Sequence, residues 1–179
     1  GRFQRSGCRS MSSSRNNSPS KAQSGRVVML KGIDPLLNAD LLYVLESMGH
    51  GDDLVISDTN FPSDSVARET VHGDIVRINA PTAARAARAI LSVLPLDSFV
   101  PNPALRMEVV GNASEILPVA AEVQAEIDRA EGKPSPMGTI ERFAFYDLAK
   151  KAYCVVQTGE RRYSGCFVFK KGVIPPDEN

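Results

Sequence analysis

The 179-residue chain has no tryptophan, only two histidines and three cysteines, and no long apolar run. No stretch approaches the ~18 apolar residues that a membrane-spanning helix needs, so we expect no membrane association. With 42% hydrophobic and 23% charged residues, the composition is ordinary for a globular domain with a sizeable core. The scarcity of histidine leaves few positions for acid–base chemistry near neutral pH.

The few cysteines and histidines also bear on redox and metal chemistry. Cys8, Cys154 and Cys166 form no C-x-x-C pair, and their odd number without a signal peptide favours reduced thiols in the cytoplasm. His50 and His72 lack the H-x-x-x-H and H-E-x-x-H spacings, which disfavours a metal site. Phosphate-binding motifs of the G-x-G-x-x-G and G-x-x-x-x-G-K-[ST] types are also missing, which disfavours dinucleotides and nucleoside triphosphates.

Residues 1–26 contain no Asp or Glu but six basic residues, so the remainder has six more acidic than basic residues. A negatively charged body is poorly matched to phosphate backbones, and we expect no nucleic-acid partner. The segment has little to bury, and we expect it to be disordered. Its Arg- and Ser-rich composition is typical of an organellar transit peptide, while a solvated tail or a vector-derived remnant before Met11 is the alternative.

From residue 27 onward, hydrophobic patterns predict a single compact α/β domain over residues 27–175, followed by a tail at 176–179. The predicted strands are 54–57, 75–78, 105–110, 152–157 and 166–169. The predicted helices are 39–48 (capped by Asn38), 81–94, 115–131 and 145–151. Strands that alternate with helices favour a mostly parallel sheet flanked by helices.

His50 lies in a glycine-flanked loop just before the first predicted strand, and Asp58 follows that strand. An imidazole and a carboxylate are suited to proton transfer, although a loop histidine also fits an ordinary surface position. Because ligands bind at the carboxyl ends of parallel strands, we expect Asp58 and the loop at 158–165 to line one pocket.

Four segments in register resemble the L-fucose mutarotase branch of the fucose mutarotase and ribose pyranase family. They are Gly49-His50-Gly51-Asp52 with Ser57-Asp58-x-x-Phe61-Pro62; Leu94-Pro95-Leu96-Asp97; Glu141-Arg142-Phe143-x-Phe145-Tyr146-x-x-Ala149; and Thr158-Gly159-Glu160 through Lys170-Lys171-Gly172-Val173. The resemblance covers about residues 27–175. The glycine after His50 and the Arg-Phe-x-Phe-Tyr run are closer to the fucose branch than to the ribose branch.

The resemblance implies a small α/β protomer assembled into rings, usually a decamer of two pentamers, with sugar sites near subunit boundaries. It also implies an isomerase that interconverts the α and β anomers of a free sugar without a cofactor. By position, His50 would be the proton donor, Asp58 and Arg142 substrate ligands, and residues 164–166 a further contact with the sugar. Tyr146 would line the pocket or cover the core.

The chemistry of mutarotation suits these residue types. Ring opening removes the proton of the anomeric hydroxyl and protonates the ring oxygen, and imidazole serves such transfers near neutral pH. A carboxylate can orient sugar hydroxyls or fix an imidazole tautomer, and the Arg142 guanidinium offers a fork of donors.

The chain departs from the family at Ser164-Gly165-Cys166, where the family reads Tyr-Gly-Asn. An aromatic hydroxyl and an amide are thus replaced by a short hydroxyl and a thiol, a poor hydrogen-bonding group. Tyr163 is one position earlier and is a candidate to substitute for the missing tyrosine, although on a strand it would face the opposite side. A non-catalytic monosaccharide-binding or scaffold homologue is therefore the alternative function. A redox or metal protein that uses Cys154 and Cys166 is a third hypothesis.

Overall fold

The computed structural model describes Gly1 and residues 30–176. The predicted segment 1–26, which includes Cys8, and residues 177–179 of the predicted tail lie outside this main range. Helices and strands are interspersed along it. The helices are α1 (Ala39–Ser47), α2 (Ser63–Ala67), α3 (Ala83–Leu91), α4 (Pro118–Glu131) and α5 (Arg142–Lys151). The strands are β1 (Asp53–Ser57), β2 (Ile75–Arg77), β3 (Ala104–Met107), β4 (Gly138–Ile140), β5 (Cys154–Gln157) and β6 (Phe167–Lys170).

The six strands form one sheet in the order β2-β5-β1-β6-β3-β4. β1 pairs in parallel with β5, as do β2 with β5 and β3 with β4. β6 is antiparallel to both of its neighbours, β1 and β3. All strands except β6 therefore run in the same direction, which confirms the prediction of a mostly parallel sheet. Their carboxyl ends share one edge, where β6 begins.

The helices cover both faces of the sheet. Leu54 and Ile56 of β1 pack with the buried residues of α1, α3 and α4, whereas Val55 between them belongs to a second cluster with α2 and α5. Alternate residues of a strand point to opposite faces, so β1 contributes to both cores. The domain is therefore a three-layer sandwich of helices, sheet and helices.

The helix boundaries follow capping chemistry more closely than hydrophobic spacing. Asn38 caps α1 as predicted, because its side-chain oxygen accepts a hydrogen bond from Leu41 N at 2.9 Å. The helix predicted from Pro81 begins instead at Ala83, because the hydroxyl of Thr82 caps it by accepting from Arg85 N. The helix predicted from 115 begins at Pro118, whose fixed φ suits the first turn.

Two short elements escape the hydrophobic patterns. Helix α2 has only five residues, and its buried positions include the small polar Ser63. Strand β4 has three residues, Gly-Thr-Ile, and lies at an edge of the sheet, so it shows no apolar alternation. The strand predicted at 105–110 ends at Met107, and the strand predicted at 166–169 begins one residue later, after Cys166.

Within the described part of the chain, no helix combines the length and apolar character needed to cross a membrane. Across the same residues, no three His, Cys, Asp or Glu side chains come together as metal ligands. Cys154 and Cys166 are both buried and unpaired. Burial raises the pKa of the Cys154 thiol to about 12, and it also raises the pKa of Cys166. Both thiols are therefore protonated at neutral pH, unlike the low-pKa thiolates of redox sites.

Candidate active site

A cleft of about 420 Å³ opens where the carboxyl ends of β1 and β3 meet the start of α5. This is the edge at which parallel sheets bind ligands. Predicted site residues from three separate parts of the chain line it: Asp58, Arg142, Tyr146, Ser164 and Cys166. The geometry thus brings together most of the residues to which the sequence assigns a sugar-binding role.

Asp58 is buried at the base of the cleft and organises the surrounding backbone. Its Oδ1 accepts hydrogen bonds at 2.9 Å from the N–H groups of both Asn60 and Phe61, and its Oδ2 accepts one at 3.2 Å from Gly165 N. A carboxylate offers about four acceptor positions, so one position of Oδ2 remains for another donor. Asp58 therefore joins the loop after β1 to the loop before β6 and still has capacity for a ligand.

A second buried carboxylate holds the β5–β6 loop from the other side. Glu160 is only 2% exposed, and it accepts hydrogen bonds from Ala83 N at the start of α3 and from the Arg162 side chain. Arg162 also makes two 2.8 Å contacts with Glu122 on α4. The hydrogen bonds from Arg162, above all, lower the pKa of Glu160 to about 2. The loop is thereby tied to two helices.

Between these attachments the chain makes a tight turn at residues 163–164. Ser164 has a φ of +57°, a left-handed conformation that residues other than glycine seldom adopt. Tyr163 and Ser164 both line the cleft. The condition under which Tyr163 would face away does not hold, because this segment is a turn and the strand begins only at Phe167.

Close packing, rather than an unusual φ, is the reason why position 165 requires glycine. A Cβ at this position would lie 2.7 Å from Glu160 Cγ and 3.2 Å from Asp58 Cβ. The next residue, Cys166, is 2% exposed. Burial first, and the negative charge of Asp58 second, raise the pKa of its thiol. The wall of the cleft at Cys166 is therefore neutral and only weakly polar.

Helix α5 supplies the opposite wall. The Glu141 carboxylate caps the helix by accepting from Phe143 N and Ala144 N, which places Arg142 at the first helical position. The exposed Arg142 guanidinium lies over the Phe143 ring, 4.6 Å from its centroid. One turn later, Tyr146 stacks on Phe61 at a centroid distance of 5.1 Å. The guanidinium is thus held at the rim, with donors available to a ligand.

His50 lies at the opposite edge of the sheet from this cleft. It precedes β1, whereas Asp58 follows it, and a strand of that length spans roughly 13 Å at ~3.3 Å per residue. His50 Nε2 lies 3.2 Å from Asp97 Oδ1, and the imidazole is 46% exposed. One copy of the chain therefore does not bring His50 and Asp58 into the same site.

Asp97 is the partner to which sequence reasoning assigned no role, although it ends one of the four matched segments. Leu96 pairs with Lys171 next to the end of β6, which carries Asp97 to the start of β1 beside His50. The Asp97 carboxylate also accepts from Phe99 N at 3.0 Å, and this bond is the main reason why its pKa is lowered. A buried aspartate that stays ionised fixes the orientation of the imidazole.

Residues 31–174 match the RbsD / FucU transport protein family, so the match includes both the cleft and the His50–Asp97 pair. The chain belongs to this family. A fucose mutarotase of Danio rerio is 42% identical over 156 residues, which cover 85% of this chain and 99% of the relative. The fucose mutarotase of Homo sapiens is 40% identical over 152 residues, which cover 83% and 96% of the two chains.

Solved structures of this RbsD / FucU type share the fold. One of them is the crystal structure of a proposed sugar-binding protein, whose sequence is 62% identical to this chain. The match has a TM-score of 0.81 and covers 82% of this chain and 97% of that one. The fucose mutarotase of Streptococcus pneumoniae, solved in complex with L-fucose, is 32% identical with a TM-score of 0.72. That match covers 82% of this chain and 100% of the Streptococcus chain. These likenesses confirm the predicted fold and the family resemblance.

Proposed function

We propose that this protein is an isomerase that interconverts the α and β anomers of L-fucose or a related free monosaccharide, without a cofactor. The observation that carries the proposal is the cleft in which Asp58, Arg142 and the turn at 163–166 converge, in a chain related to named fucose mutarotases. A volume of about 420 Å³ leaves room for a monosaccharide with bridging water. We place the active domain at residues 27–175.

Ring opening needs two proton transfers at neighbouring oxygens. His50 donates a proton to the ring oxygen as the bond from that oxygen to the anomeric carbon breaks, and the anomeric hydroxyl gives its proton to a water molecule in the cleft. The resulting aldehyde turns about one bond and closes on its other face by the reverse steps. General acid–base catalysis of this kind contributes roughly 10²–10⁴-fold.

Asp58 and Arg142 hold the sugar during these steps. The free acceptor position of Asp58 Oδ2 orients one sugar hydroxyl, and its three backbone hydrogen bonds keep the carboxylate in place. The guanidinium donates to two sugar oxygens with a fixed spacing. Tyr146, Ser164, Gly165 and Cys166 complete the walls that surround the sugar.

His50 reaches the sugar from a neighbouring copy of the chain. Two observations support this arrangement: the separation of His50 from the cleft along β1, and the exposure of large apolar side chains beside both sites. Phe99 lies against the His50 ring and is 72% exposed, while Val110 and Phe143 are exposed near the cleft. Apolar surface of this kind is typical of protein interfaces.

We further propose that the copies close into a ring, as a decamer of two pentamers. A contact between unlike surfaces, one carrying His50 and the other the cleft, generates a ring when its rotation closes. The buried, unpaired thiols of Cys154 and Cys166 suit the reducing cytoplasm, in which we place the protein.

Exchange NMR on equilibrated sugars tests the proposed activity. The rate of exchange between the α and β anomeric signals would be measured for L-fucose, D-ribose, galactose and glucose, with and without the protein. We expect faster exchange for L-fucose or one close relative. Broadened sugar signals without faster exchange would instead support the non-catalytic sugar-binding alternative, and no effect on any sugar would contradict both.

A further inference from the structure

We propose that Tyr163 contacts the bound sugar, with its phenol hydroxyl in a hydrogen bond to a sugar oxygen and its ring at the mouth of the cleft. The inference rests on the proposed function. It concerns a residue outside the family pattern, because the aromatic hydroxyl expected from the family resemblance belongs at position 164, where this chain has serine.

The turn that carries Tyr163 is fixed on both sides. The preceding residue, Arg162, is bonded to Glu160 and Glu122 through its guanidinium. Two residues after Tyr163, Gly165 N donates to Asp58 at the base of the cleft. The left-handed φ of Ser164 reverses the chain between these points, and Tyr163 and Ser164 both line the cleft. Tyr163 is therefore placed by anchored neighbours before any ligand binds.

The phenol of Tyr163 is available to a ligand. Tyr163 is 82% exposed, so a ligand in the cleft can reach its hydroxyl. The other tyrosine of the cleft, Tyr146, packs its ring on Phe61 and is only partly exposed. A phenol combines an apolar face, which can pack on the C–H groups of a sugar, with a hydroxyl that donates and accepts.

The neighbouring side chains on this wall offer a sugar little hydrogen bonding of their own. Ser164 has a short hydroxyl, and Cys166 presents a buried, protonated thiol that is a weak hydrogen-bonding partner. On this wall Tyr163 is thus the side chain with the longest reach and a strong neutral donor. Its displacement by one position, relative to the family pattern, changes the direction from which a hydroxyl meets the sugar.

The test compares Tyr163→Phe, which removes only the hydroxyl, with Tyr163→Ala, which also removes the ring. Tyr43→Phe is the matched control, because Tyr43 is an exposed tyrosine on α1. The kcat/KM for L-fucose anomer exchange and the Kd for L-fucose would be measured for the full chain. We expect Tyr163→Phe to lower kcat/KM and weaken binding about 3- to 10-fold, as the loss of one neutral hydrogen bond does.

We expect Tyr163→Ala to lose more than Tyr163→Phe, and Tyr43→Phe to match the wild type. Circular dichroism and elution volume would establish that each variant folds and assembles. An active wild type with an equally active Tyr163→Phe variant overturns this inference and leaves the proposed function intact. If the wild type binds L-fucose without turnover, the proposed activity fails and the Kd of Tyr163→Phe decides the inference. A wild type that binds no sugar overturns both.

Discussion

Asp58 and Asp97 differ in their relation to His50, because the two carboxylates lie in different surroundings. Asp58 lies at the far end of the first strand from His50, where it accepts hydrogen bonds from the backbone of two loops and lines the cleft. Asp97, distant in sequence, is the one that contacts the imidazole. In the proposed mechanism, this arrangement separates the group that moves a proton from the group that holds the sugar.

The replacement of His50 by alanine tests its role most directly. We expect His50→Ala to lower the rate of anomer exchange by about 10²–10⁴-fold, because the proton donor is lost. Exchange NMR on L-fucose would measure the rate, and His72→Ala serves as the control for the loss of an imidazole elsewhere. Wild-type turnover in His50→Ala would remove this residue from the mechanism.

Asp97→Asn should reduce activity less than His50→Ala does. An amide keeps the shape but loses the charge that favours one imidazole orientation, and a hydrogen bond to a charged group is worth about 10- to 100-fold in rate. Because the bond from Phe99 N lowers the pKa of Asp97, the wild-type carboxylate stays ionised in mildly acidic solution. Equal rates for the wild type and Asp97→Asn at pH 7 would contradict a positioning role.

The lowered pKa of Glu160 predicts how acid affects the stability that the β5–β6 loop contributes. Its folded pKa of about 2 lies below the ordinary 4.5, so its stabilising contribution is present above about pH 4.5 and is lost as the pH falls toward 2. Glu160→Gln should lower the free energy of unfolding at pH 7 by about 2 kcal/mol and remove this part of the acid sensitivity. Denaturant unfolding from pH 7 to pH 3 would measure both effects.

A surface carboxylate provides the comparison for Glu160. Glu69 pairs with Lys150 at 3.2 Å, and both side chains are about half exposed. Glu69→Gln should change stability by less than about 1 kcal/mol, because exposed ion pairs contribute little. An equal effect of the two substitutions would mean that burial of Glu160 does not strengthen its hydrogen bonds with Arg162.

Residue pairings were predictable only where topology implied them. The meeting of Asp58 with the 158–165 loop follows from the rule that parallel strands deliver their following loops to one edge. The His50–Asp97 contact depends on an isolated bridge between Leu96 and Lys171, which leaves no periodic trace in the sequence. The direction of Tyr163 depends on a left-handed serine, a conformation that residue type alone does not reveal.

At the scale of elements, the loop before β6 requires glycine at position 165, because neighbouring atoms leave no space for a side chain. Gly165→Ala would place a Cβ against Glu160 and Asp58, so one of these carboxylates must move. We expect a loss of about 1–3 kcal/mol in stability and weaker sugar binding, because overpacking displaces the loop. Thermal unfolding and the Kd for L-fucose would measure the two effects.

Gly132→Ala is the control for this substitution. Gly132 has a φ of +65° at the end of α4 and open space around its Cα, so alanine there costs only backbone strain of about 1 kcal/mol. Sugar binding should be unchanged in Gly132→Ala. Unaltered binding in Gly165→Ala as well would show that the cleft does not depend on the position of this loop.

Long elements with clear periodicity were predicted in the right part of the chain, but only some of their ends were predicted accurately. Helix α1 had both a cap residue and regular apolar spacing, and it was predicted to within about a residue at each end. Short elements such as α2 and β4 are stabilised by packing against the rest of the domain, so their own residues carry little signal. Tertiary contacts therefore determine where these short elements form, and the periodicity of the sequence does not reveal those contacts.

At the scale of the whole molecule, a mixing experiment tests whether sites form between copies. His50→Ala and Arg142→Ala chains should each be inactive alone, because each lacks one half of every site. If the halves come from different copies, subunits unfolded and reassembled together at a 1:1 ratio should regain about a quarter of the wild-type activity, as random ring assembly predicts. No recovery in mixed assemblies of the correct size would contradict the shared site.

The position of β6 also has a consequence for how the protein is made. Only β6 pairs with both β1 and β3, so it joins the two halves of the sheet, and it is the last strand described in the sequence. Until it emerges from the ribosome, β1 and β3 each expose an unpaired hydrophobic edge. The nascent chain therefore remains exposed to aggregation until β6 has been synthesised, and chaperones that shield strand edges should increase its yield.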